Sequence, residues 1–185
     1  MNLLVEKAPD YIIVGGDKIK INTSFDIWIN FMIHLGNKED EKALNVLLTE
    51  IFIDGCPNTD LTETVKACFV WMFPPDDCRC EGNFSCNKNG AQAFDFVMDG
   101  NVIYCELWEY CPHLMEHGIT FHEGMQLIKL LLSNENTMLW HRAFARCGDF
   151  SKMSKDQQKY WQQERARWAI KKTQADIDNV FSAAF

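Results

Sequence analysis

A chain of 185 residues with 47% hydrophobic side chains is long enough to bury a core of its own, so its stability requires neither a metal nor a disulfide staple. A formal net charge of −8 and a pI near 5.1 exclude general affinity for nucleic acid or anionic membranes, whose phosphates repel such a surface. The N-terminus begins apolar but meets Glu6, Lys7, Pro9 and Asp10 before a signal-length run forms. Asp26, Asn30, His34 and Lys129 interrupt the longest apolar runs well short of a bilayer span. A soluble cytoplasmic protein is expected, its eight cysteines present as reduced thiols.

The first predicted element is a β-hairpin over residues 11–21, where two β-branched runs flank Gly15, Gly16 and Asp17, residues that tolerate the positive φ of a tight turn. Thr23 or Ser24 can cap the next helix, 25–35. Its polar side chains Asp26, Asn30 and His34 recur every fourth residue and leave the rest of the rod apolar, so Phe25, Trp28, Phe31 and Met32 are assigned to the core. Leu44, Leu47, Leu48, Ile51 and Phe52 mark a one-sided second helix, closed by Asp54, Gly55 and Pro57. Asp60 and Glu63 have capping-box spacing before a third, with Leu61, Val65, Cys68, Phe69 and Met72 as its buried face and Pro74 and Pro75 as its stop.

Beyond a loop running to Gly90, Asp99 can cap a helix carrying Val102, Ile103, Leu107, Tyr110 and Cys111. Pro112 and Gly118 disfavour a stable helix between them. A helix over 124–132 follows, then one capped by Asn136 or Thr137 above Leu139, Trp140, Ala143 and Phe144. From Ser154 onward the chain has neither Gly nor Pro and reads as one long helix. The expected fold is mainly α, a helical single domain (1–153) with a small N-terminal β-hairpin, followed by a long C-terminal helix (154–185) whose end serves as an interaction arm.

Chemistry-bearing patterns are sparse. "DDCRCEGNFSC" lacks the Cys-x-x-Cys knuckle that usually places two zinc ligands, although Cys78 and Cys80 could ligate with Cys86 and a fourth ligand from Cys56, Cys105 or a histidine. The favoured reading is a spacer between helices. His113, His117 and His122 lie close in sequence but do not form His-Glu-x-x-His, and no phosphate loop or nucleophile elbow is present. No cofactor and no catalytic residue is assigned.

Three stretches together resemble the bacteriophage Gp-fifteen family. In "FDFVMDGNVIYCELWEYC" the matching residues are Phe94, Phe96, Asp99, Ile103 and Tyr104. In "NENTMLWHRAFARCGDF" they are Thr137, Arg146 and Asp149, and in "MSKDQQKYWQQERARWAI" they are Met153, Ser154, Gln157, Tyr160, Trp161 and Trp168. The chain departs from the family at "EGMQLIKLLL", where a His-Trp-aromatic run is usual. The resemblance implies a non-enzymatic phage or prophage tail-assembly protein of the host cytoplasm, a chaperone-like factor for the tape-measure protein. The alternative is a metal-binding or regulatory module on loop 78–86. Trp161 and Trp168 either dock the C-terminal helix or, with Ile177, Phe181 and Phe185, meet a partner or a second copy of the chain.

Overall fold

The computed structural model describes residues 7–36, 41–74 and 92–170. These residues are mainly helical, with eight helices and one two-stranded antiparallel hairpin. The described residues group into two units, 7–74 with 117–125, and 92–116 with 126–170.

The first unit begins with β1 (Tyr11–Val14) and β2 (Asp17–Lys20), paired so that Val14 faces Asp17 across a two-residue turn. Gly15 and Gly16 have φ of 60° and 92°. Both central positions of a type I′ turn require those angles, which only residues without a Cβ adopt freely. Alternation along β1 buries Ile12 and Val14 and turns Tyr11 and Ile13 outward.

Helix α1 (Phe25–Gly36) follows, then α2 (Glu41–Ile51) and α3 (Leu61–Met72). Trp28 and Phe31 are completely buried, and Phe25 and Met32 pack against the same core. The Trp28 ring stacks on Trp71 at 4.3 Å between centroids. Each indole N–H finds a backbone carbonyl, Trp28 at Asn22 O (2.6 Å) and Trp71 at Pro9 O (2.8 Å), so the large apolar payload carries no unsatisfied donor.

Two details of the sequence reading are corrected on α3. Its buried face is Thr64, Cys68, Trp71 and Met72, whereas Phe69 is exposed; stacking on Trp28 rotates the helix toward Trp71. The Asp60–Glu63 capping box does not form, because Glu63 Oε1 instead accepts the Gly15 N–H of the hairpin turn.

In the second unit α4 (Phe96–Tyr110) starts ahead of its expected cap. Asp95 is the N-cap, accepting from the N–H groups of Val97 and Met98, and Asp99 lies one turn inside. A short helix, α5 (Pro112–His117), occupies the stretch expected to be non-helical. Proline at the first helical position loses only an N–H that has no partner there anyway.

Helix α6 (Phe121–Ser133) also starts earlier than expected, since Thr120 and Glu123 exchange hydrogen bonds in the geometry of a capping box. Its first residues belong to the first unit and the remainder to the second. Helix α7 (Met138–Cys147) is capped by Thr137, and α8 (Lys155–Trp168) by a full Ser154–Gln157 capping box. α8 ends at Trp168, residues 169–170 are not helical, and the rest of the expected C-terminal helix lies outside the described residues.

Candidate functional site

The second unit is organised around one buried carboxylate. Asp99 is fully buried on the inner side of α4, and a charge in that position persists only when paired and hydrogen-bonded. Its Oδ2 accepts the Asp95 N–H at 2.9 Å, closing the first turn of the helix. Helix α7 supplies two guanidinium groups one turn apart. Arg142 donates to Oδ1 at 2.9 Å, and Arg146 donates to both carboxylate oxygens.

The remaining Arg146 donors reach Ala93 O at 3.0 Å and, through Nε, Trp168 O at 2.7 Å. The last carbonyl of α8 is thus held by α7. Burial pushes the Asp99 carboxyl up, but hydrogen bonds from Arg146, from the Asp95 backbone and from Arg142 outweigh it, so the group lies below its ordinary value.

A second carboxylate works at the other end of α7. Glu106, buried on α4, accepts the N–H groups of Met138 and Leu139, placing negative charge at the positive end of the helix dipole. Here burial prevails over those bonds, and its pKa is raised.

Helix α8 docks on α7 through its two tryptophans. Trp161 packs among His141, Phe144 and Phe150, with centroids 4.8, 4.8 and 5.8 Å away. Trp168 lies beneath the Arg142 guanidinium at 4.0 Å and donates its indole N–H to Glu164. Arg165 reaches the carbonyls of Ala145 and Gly148 at the end of α7. Trp161 and Trp168, candidates for partner contact, therefore make intramolecular contacts in this unit, and both are half-buried. Ile177, Phe181 and Phe185 lie outside the described residues.

Cys78, Cys80 and Cys86 lie outside them as well. Among the described residues no group of three or more His, Cys, Asp or Glu side chains could hold a metal ion. His113 and His117 are exposed, whereas His122 is buried with Nε2 3.0 Å from Trp71 O. Cys68 is a core thiol as expected, and burial pushes it up to about 12. Cys56, Cys105 and Cys111 are free, but Cys147 is disulfide-bonded, contrary to the expectation of reduced thiols throughout.

One surface escaped the sequence reading. The outer side of α4 carries Val97 (69% exposed), Tyr104 (57%) and Trp108 (36%), with Asn101 and Cys105 also exposed. Starting the helix at Asp99 left Val97 outside it and concealed the 97, 101, 104, 108 spacing. No family model, curated protein or solved structure matches the chain.

Proposed function

We propose that the chain is a non-enzymatic tail-assembly protein of a phage or prophage, a chaperone-like factor that binds the tape-measure protein in the host cytoplasm. One observation carries this reading. The three stretches that resemble the Gp-fifteen family supply Asp99, Arg146 and Trp168, and these meet at a single guanidinium, Arg146 bonding the Asp99 carboxylate and the Trp168 carbonyl. Asp99 lies 47 residues before Arg146 and Trp168 22 residues after it, so the contact joins all three stretches, through the Asp99 side chain and the Trp168 backbone carbonyl.

The residues of that cluster hold one another, which suits a scaffold. The exposed apolar side chains of α4 supply the kind of surface on which a holding factor keeps a helical client soluble. Among the described residues no helix is long and apolar enough to cross a membrane.

The test is co-expression with the tape-measure protein encoded in the same gene cluster. The expected result is that the tape-measure chain becomes soluble and elutes with this protein in size-exclusion chromatography. Equal solubility with and without it, and separate elution, would reject the proposal. Elemental analysis of the purified protein addresses the rival reading: stoichiometric zinc that disappears in Cys78→Ser/Cys80→Ser would favour a metal module instead.

A further inference from the structure

We infer that the outer face of α4 is a docking surface for an amphipathic α-helix whose apolar stripe is flanked by lysine or arginine. At 3.6 residues per turn, Val97, Asn101, Tyr104 and Trp108 fall within an arc of about 60°. The buried residues Asp99, Ile103, Glu106 and Leu107 occupy the opposite side. A helix on a protein surface ordinarily turns charged side chains to water on that outer face. Here the only exposed charged residue between Phe96 and Tyr110 is Glu109.

Tyr104 and Trp108 make an edge-to-face pair at 6.4 Å, and Tyr and Trp are the residue types that most often anchor interfaces. The face is therefore apolar and aromatic on the side where solubility favours charge.

Spacing and charge together select the occupant. Intervals of four, three and four along the stripe are those with which a second helix interlocks knobs into holes, over a length of about 16 Å from Val97 to Trp108. Glu109 is exposed on α4 beside this face, and α4 carries no cation, in a chain of net charge −8. A helix with basic flanks answers that carboxylate and is attracted by the wider field, whereas a second copy of this chain brings the same negative charge and is repelled. This inference rests on the proposed function only in naming the tape-measure protein as the source of the helix.

The probe is a fluorescein-labelled synthetic peptide of about three heptads with Leu at a and d and Lys at e and g, followed by anisotropy; its counterpart has Glu at e and g. The full chain is expected to bind the Lys peptide, to ignore the Glu peptide, and to lose about tenfold or more in affinity in Tyr104→Ser/Trp108→Gln. A second measurement needs no substitution. Cys105 is free and exposed at the edge of this face, and Cys56 is free and exposed elsewhere. Bound Lys peptide should slow alkylation of Cys105 several-fold, as read by mass spectrometry, and leave Cys56 unchanged.

Equal binding of the two peptides, undiminished binding by a folded double variant, or unprotected Cys105 would each overturn the inference. So would a wild-type dimer that the same substitutions convert to monomer, since a second copy would then own the face. The two proposals fail separately. If the tape-measure protein co-purifies equally with wild type and double variant, tail assembly stands and this face does not; if the Lys peptide docks here but the tape-measure protein never co-purifies, the reverse holds.

Discussion

Asp99 concentrates the stability of the second unit on one side chain. Asp99→Asn keeps the shape but leaves Arg142 and Arg146 buried without their anion, and breaking such a pair costs about 3–5 kcal/mol; urea denaturation should show it. The same carboxylate sets an acid limb. Its folded pKa is lowered, so the unfolded chain binds more protons. Its contribution is complete above the ordinary aspartate value of about 3.9 and is lost as pH falls through the folded value. Glu106 has the opposite sign. Its folded pKa is raised, so its contribution is present below the ordinary glutamate value of about 4.3 and fades as pH rises through the raised one. Denaturation midpoints measured across this range should fall on the acid side in wild type and less steeply in Asp99→Asn. Glu106→Gln should flatten the decline on the other side. An acid limb unchanged by Asp99→Asn would mean that other carboxylates dominate it.

At the scale of elements, two glycines in helices should respond to the same substitution with opposite signs. A Cβ on Gly124 of α6 would run into the Phe25 ring of α1, whereas one on Gly100 of α4 meets nothing within 4 Å. Gly124→Ala is expected to cost about 1–3 kcal/mol through overpacking despite its better helix propensity, and Phe25→Leu should recover part of that loss. Gly100→Ala should gain about 0.5–1 kcal/mol. Thermal melts of the three variants check the ordering. The elements themselves were legible wherever a local rule decides: a glycine pair between β-branched runs gives the hairpin, and the Asn136–Thr137 pair marks the start of α7, with Thr137 its cap. Distant side chains decided the rest. Asp95 and Asp99 both qualify as caps by spacing, and what separates them is that the second is claimed by arginines 43 and 47 residues further on. Likewise Phe69 and Trp71 compete for the buried side of α3, and only the stacking of Trp71 on Trp28 settles which goes inward. The α4 surface was hidden because its recognition depends on where the helix begins.

At the scale of the molecule, the net charge of −8 makes a kinetic prediction. Association of the Lys-flanked peptide should slow about tenfold between 0.05 and 0.5 M salt, while dissociation changes less, because screening removes long-range attraction and leaves apolar contact intact. Stopped-flow anisotropy separates the two rates. Insensitivity of the association rate to salt would count against charge as the selector of the partner. The passage of α6 from one unit into the other also constrains the order of events on the ribosome. Trp28 and Trp71 are translated long before Phe121, a completely buried ring within about 6 Å of both. At about 5–20 residues per second, the nascent chain carries those tryptophans for several seconds without the ring that completes their environment. Released fragments ending at residue 116 should therefore be cleaved rapidly by protease at sites in the first unit, whereas fragments ending at 133 should resist. A protein proposed to shelter another chain must itself first be sheltered while its own first core waits for its last piece.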